Sequence, residues 1–201
     1  MEKQIFFKGI IEYLYLFVGI NKHISLDIAS QLDLENPSNL YVVDLPSYLS
    51  AEQINDLKIK LITHPITPTA FLLGIGFPPN LTEIILKFYN KSESLVKTIQ
   101  DNPYTLLEIE ELTFKRVDKA ATEFLNVPKD SPKRQKALVL YQLVSLGTKN
   151  GHLFCDLEKF INSKFEDVED ADIKKYLKEL IIEKKIILEN KKLYPSLSYK
   201  A

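Results

Sequence analysis

Asn102-Pro103-Tyr104-Thr105-Leu106 opens the stretch that decides the fold, and Thr113-Phe114-Lys115-Arg116-Val117-Asp118-Lys119-Ala120 follows it. Next come Asp130-Ser131-Pro132-Lys133-Arg134, an apolar helical pattern, and Gly151-His152. Apolar spacing predicts one helix around Thr105 to Ile109 and another from Phe114 to Leu125. The segment Glu110-Glu111-Leu112-Thr113 is the hairpin between them. Lys133 to Leu146 reads as a longer helix.

Upstream, Leu73-Gly74-Ile75-Gly76-Phe77-Pro78-Pro79 separates two more short helices. Pro65 and Pro68 are expected to break the preceding helix, so the first of the two runs from Thr69 to Leu73. The second carries Leu81, Ile84, Ile85 and Phe88 on one face, with Pro79 at its first position, where a missing N–H costs nothing. A further helix spans Ser92 to Gln100. Ser50-Ala51-Glu52-Gln53 is a capping-box pattern ahead of Ile54, Leu57, Leu61 and Ile62. Ile5 to Val18 is either a buried helix or a twisted strand, because the run is too uniformly apolar for periodicity to decide. Ser25 is a candidate cap for a short helix through Leu32. Asn36 to Leu49, with Pro37 and Pro46, is a loop or a short strand.

Downstream, His152 to Cys155 is a short apolar strand, and Leu157 to Phe165 and Ala171 to Ile182 are helices. Lys185 to Leu188 is a strand, Glu189 to Lys192 a polar turn and Leu193-Tyr194 a returning strand. Helix, strand, helix, helix and hairpin is the order of a winged helix. The chain is therefore expected to be mainly α. Residues 1–60 form an N-terminal region of unassigned fold, residues 61–128 a tandem helix-hairpin-helix segment, and residues 129–201 a winged-helix-like α+β domain.

Composition narrows the partners. The 201 residues carry 26 basic and 27 acidic side chains, a net charge of −1. Nucleic-acid coats are usually strongly basic, so any DNA contact must be local. The single cysteine, Cys155, excludes an internal disulfide and fits a reducing cytosol. Its apolar surroundings, Leu153-Phe154-Cys155, predict a buried structural thiol. The apolar run Ile10 to Ile20 is shorter than the ~20 residues that cross a bilayer, and no small-residue cleavage site follows it. It is expected to be core.

Three segments are candidates for DNA contact. In the first, Gly74, Ile75 and Gly76 form a turn whose glycines would let backbone approach a phosphate, with Asn80 at the N-terminus of the next helix. The other interpretation is a tight turn between packed helices. The second is Lys115 and Arg116 beyond the Glu110-Glu111 hairpin, whose side chains reach a phosphate even where the carboxylates repel one. A hairpin kept for packing is the alternative. The third is the hairpin tip, Lys191 and Lys192, set against an acidic segment, Glu166 to Asp172, that would repel DNA at the helix end normally placed in the groove. A solvated face, or a surface that docks protein, is the alternative there. There is no Gly-x-x-x-x-Gly-Lys-Ser/Thr loop, so no ATP motor of that type is encoded. His23, His64 and His152 make no metal-ligand pattern with Cys155. Neither cofactor nor metal is expected.

These residues resemble the region ahead of the motor in RecD-like DNA helicases, the long-form relatives of the exodeoxyribonuclease V alpha subunit. The resemblance covers roughly residues 65 to 200. It is carried by Thr67-Pro68 through Asn90, Asn102-Pro103-Tyr104, Ser131-Pro132-Lys133-Arg134, Ala137, Tyr141, Gly151-His152 and Leu193-Tyr194-Pro195-Ser196-Leu197. The family's second hairpin usually reads Gly-x-Gly-Phe-Lys-Thr-Ala-Asp. Here Glu111 and Thr113 stand at the glycine positions, and Phe114, Lys115 and Asp118 match. The resemblance implies a cytoplasmic DNA repair or recombination helicase moving 5′ to 3′. This chain would be its non-catalytic, DNA-engaging front section, cut from a larger helicase or free-standing, with a motor domain in the same or another chain as partner. A protein-docking module and a stand-alone winged-helix regulator are the competing readings.

Overall fold

The computed structural model describes residues 2–32, 44–92, 94–149, 154–163 and 170–196. They group into two units, residues 1–126 and 127–201.

The first unit is helical throughout its described residues. The apolar run near the N-terminus is helix α1 (Glu2–Leu16), not a strand. Its buried stripe, Ile5, Phe6, Gly9, Ile10, Tyr13 and Leu14, recurs every three to four residues, as one helix face requires. After α2 (Lys22–Gln31) come α3 (Ala51–Thr63), α4 (Ile66–Gly74), α5 (Pro79–Phe88) and α6 (Ser94–Asp101). A 3-10 turn (Pro103–Glu108), α7 (Phe114–Lys119) and a π-helical turn (Ala120–Phe124) complete the unit.

Helix α4 is the axis of this unit. All of its residues but Thr67 are buried, and a helix apolar on every side has to lie inside. Helix α1 covers it antiparallel, at backbone contact. A Cβ on Gly9 would lie 1.7 Å from the Ala70 oxygen, and one on Gly74 would lie 2.2 Å from the Ile5 oxygen. Each helix supplies one glycine to the other's backbone. Ile10, Leu14, Phe71 and Leu72 are fully buried. Each such side chain contributes about 2 kcal/mol.

Several expectations need correction. Asn21, not Ser25, caps α2, with Oδ1 accepting from His23 N–H at 2.9 Å. Ser25 is buried inside the helix, and its hydroxyl donates to the Asn21 carbonyl at 3.0 Å. Helix α4 starts at Ile66, so Pro68 does not end a helix. It sits in the first turn, where the backbone N–H has no partner to lose. On α5 the buried face is Thr82, Ile85 and Leu86, and Phe88 is exposed. Thr82 turns inward because its hydroxyl is satisfied by the Phe77 carbonyl at 3.5 Å. The Ser50 capping box is present, with Gln53 N–H donating to Ser50 Oγ at 3.2 Å and Ser50 N–H to Gln53 Oε1 at 3.0 Å.

The second unit is α+β. Helix α8 (Pro132–Lys149) precedes β1 (Cys155–Asp156), α9 (Leu157–Ile161), α10 (Asp170–Ile182), β2 (Ile186–Glu189) and β3 (Lys192–Pro195). The sheet is antiparallel, in order β1-β3-β2, with Cys155 opposite Leu193 and Leu188 opposite Leu193. Strands β2 and β3 join through Asn190 and Lys191, both at positive φ (50° and 60°), as a two-residue type I′ turn requires. Lys136 links α8 to α10, its Nζ 2.6 Å from both Glu179 and Glu183, and these bonds hold its pKa above the ordinary lysine value. Cys155 is buried, which raises its thiol pKa, as a structural role predicts. The expected Gly151-His152 pair, most of the acidic segment at 166–172 and the tract 36–43 lie outside the described residues.

Candidate nucleic-acid interface

The turn after α4 is built by local hydrogen bonding. Gly76 takes φ +91°, a conformation that favours glycine. Gly76 N–H donates to the Leu73 carbonyl at 3.0 Å, and Phe77 N–H to Leu72 at 3.1 Å. This is a Schellman termination, sealed by Phe77 and Leu72, both buried. Ile75 N–H donates to Phe71 at 3.0 Å. The donors of the expected phosphate turn are therefore spent on α4, and Pro78 and Pro79 have none. The first N–H groups past the turn are those of Asn80 and Leu81, at the start of α5.

The two glycines have different jobs. Gly74 is buried, and its missing side chain makes room for Ile5. Ile75 is 1 % exposed, so its side chain is core. Gly76 is exposed and faces the ring of Phe124.

The second hairpin is held by the Asn-Pro-Tyr segment. Asn102 Oδ1 accepts from Tyr104 N–H at 3.2 Å, which starts the 3-10 turn. The Tyr104 ring stacks on Phe114 at 6.0 Å, and its hydroxyl donates to Asp118 Oδ1 at 2.7 Å. These contacts orient α7, whose buried face is Phe114 and Val117. Lys115, Arg116 and Lys119 consequently point to solvent. Glu110 and Glu111 are also exposed, at the hairpin tip.

A cleft of about 410 Å³ joins the two hairpins. Ile75, Gly76 and Phe77 form one wall, and Thr113, Lys115, Arg116, Lys119, Ala120 and Phe124 the other. Three of these residues are cationic and none is acidic. Of the residues singled out from sequence, Ile75, Gly76, Lys115 and Arg116 meet here. Gly74 lies beneath the turn and Asn80 outside the lining. Lys119 and Phe124 were missed, although Lys119 lies one helical turn beyond Lys115, a spacing that places both on one face.

Lys191 and Lys192 belong to the second unit. Lys191 Nζ is 3.7 Å from Glu158 Oε1, with both side chains largely exposed, and Lys192 Nζ lies 4.2 Å from the Phe154 ring centre. Arg134, from the Ser-Pro-Lys-Arg segment, is buried and donates to the Lys129 carbonyl at 3.1 Å. Among the described residues, no cluster of His, Cys, Asp or Glu could hold a metal ion, and no helix is long and apolar enough to cross a membrane.

No solved structure matches the chain. Residues 67–154 match the family described as "ATP-dependent RecD2 DNA helicase HHH domain", where HHH denotes helix-hairpin-helix. The matched span contains the Gly76 turn, the Asn102-Pro103-Tyr104 segment and the cationic face of α7, and this part of the chain is similar to the helix-hairpin-helix region of RecD2 helicases.

Proposed function

We propose that residues 61–128 engage DNA by its phosphates, in the cleft between the Gly76 turn and α7, without reading base sequence. The observation that carries this is the convergence of Lys115, Arg116 and Lys119 on one concavity free of carboxylates. Side-chain cations replace the backbone donors that the turn has spent on α4. The N–H groups of Asn80 and Leu81 add a helix N-terminus beside the turn. Contacts of this kind position a strand and carry no sequence information.

Residues 129–201 are read as a winged-helix-like domain, from the order of helices and strands and the β1-β3-β2 sheet. Its role on this reading is to dock on protein, with a helicase motor in the same or another chain as the partner. The engagement of Lys191 with Glu158 and of Lys192 with Phe154 supports this, as does the exposure of Ile182 (79 %) and Leu188 (45 %). The chain would be a non-catalytic accessory region of a cytoplasmic DNA repair or recombination helicase. Should it bind a motor and no DNA, it is a protein-interaction module instead.

The test is fluorescence anisotropy with single-stranded, duplex and forked DNA at two salt concentrations. Binding that ignores sequence and weakens steeply with salt is expected, because each neutralised phosphate releases counterions. No binding at low salt overturns the DNA reading.

A further inference from the structure

A strand lying in the α7 cleft meets an aromatic wall. Phe124 ends the π-helical turn, in which Leu125 N–H reaches back to the Ala120 carbonyl at 3.3 Å. A π turn inserts a residue into the helical repeat and re-aims the side chains beyond it. Here it leaves Phe124 half-buried, as the shared wall of two concavities. One is the cationic cleft between the hairpins. The other, of about 440 Å³, is bordered by Gln4, Lys8, Glu123 and Asn126. Lys8 Nζ stands 4.7 Å from the centre of the Phe124 ring. Glu123, a carboxylate in that lining, lies 3.8 Å from Lys119 Nζ, which offsets its charge. Gly76 borders the ring as well, since a Cβ there would come within 3.2 Å of it.

A half-buried aromatic ring that borders two concavities, each lined by at least one cation, suits one ligand class. Single-stranded nucleic acid gives its phosphates to the cations and stacks a base on the ring. A duplex keeps its bases stacked inside. We infer that Phe124 is a base-stacking platform and Lys8 a second phosphate contact, so that the site selects single-stranded over duplex DNA. This rests on the proposal that the cleft binds phosphates.

The chain contains no tryptophan, so Phe124→Trp creates a lone fluorescent reporter. Its emission should be quenched by an oligothymidylate and unchanged by an abasic sugar-phosphate oligomer of equal length. Phe124→Leu should weaken single-strand binding about tenfold and leave duplex binding nearly unchanged. Lys8→Gln should reduce the salt dependence of single-strand binding. If the unaltered chain binds DNA, yet the tryptophan is not quenched and Phe124→Leu binds normally, the platform is wrong and the phosphate cleft stands. Equal quenching by both oligomers also overturns it. If the chain binds no DNA at all, both readings fall. Should Phe124→Leu not fold, the tryptophan signal decides alone.

Discussion

Gly74 lies directly against the carbonyl of Ile5: a Cβ at this position would sit 2.2 Å from the Ile5 oxygen. Backbone cannot yield as a flexible side chain does, so Gly74→Ala must push α1 off α4. Overpacking of this kind costs about 1–3 kcal/mol, and more when backbone has to shift. We expect Gly74→Ala to lower the free energy of unfolding by at least that much, read as a lower denaturant midpoint at unchanged slope, with Gly9→Ala similar. A stable Gly74→Ala chain with an unchanged midpoint would show the helix contact to be looser than described.

Gly76 separates packing from binding. Its φ of +91° disfavours a side chain, and an added Cβ would meet only the Phe124 ring at 3.2 Å. Gly76→Ala is expected to cost roughly 1–2 kcal/mol, with α4 still buried. It is the proper probe of the turn in DNA titrations. The Gly74→Ala/Gly76→Ala double variant confounds a contact with a collapsed helix pair.

Charge removal should rank the two basic regions. Lys115→Ala/Arg116→Ala should weaken DNA binding and reduce the salt slope by about 0.7 for each single-strand phosphate set free. Lys191→Ala/Lys192→Ala should change both less, because those side chains already have partners at Glu158 and Phe154. The reverse ranking, measured by anisotropy, would move the interface to the second unit. Glu123→Gln should tighten binding at low salt by releasing Lys119.

Acid should destabilise the first unit through His64. Its ring lies 5.0 Å from Phe17, and Nε2 is 3.6 Å from Glu83 Oε1. Burial lowers its pKa below the ordinary 6.5, with Glu83 opposing and Lys60 and Lys91 assisting. Between the folded and unfolded pKa values the unfolded chain holds more protons, so stability rises with pH there. The contribution of neutral His64 is complete above 6.5 and is lost as pH falls through the folded pKa. Denaturant midpoints at about pH 7.5 and about pH 5 should differ less in His64→Gln than in the parent chain.

Tyr104→Phe keeps the stack on Phe114 and removes the hydroxyl bonded to Asp118. Losing a hydrogen bond to a part-buried carboxylate should cost about 1–2 kcal/mol. DNA affinity should fall with it, because that bond orients the α7 cations. Unchanged affinity at reduced stability would detach the Asn-Pro-Tyr segment from the site.

The sequence disclosed elements whose signals are local. The Ser50-to-Gln53 box, Pro79 at the start of α5 and the order of elements beyond Pro132 were legible because capping, proline geometry and periodicity act within a few residues. Helix α1 was not, because Ile10 to Ile20 is apolar without a polar face to set a period; only α4 determines which side turns inward. The same holds for Gly74, whose glycine is required by Ile5, far away in sequence. Of the cleft, Ile75, Gly76, Lys115 and Arg116 were found through hairpin chemistry. Phe124 was hidden because a π turn, invisible to a 3.6-residue count, sets where its ring points.

The pairing of α1 with α4 also bears on how the chain is made. A ribosome releases α1 before α4, and Ala70, which receives Gly9, emerges roughly 60 residues after it. At about 5–20 residues per second, the stripe from Ile5 to Leu14 stays uncovered for several seconds of synthesis. During that interval the stripe is apolar surface of the kind that makes a nascent chain prone to aggregate.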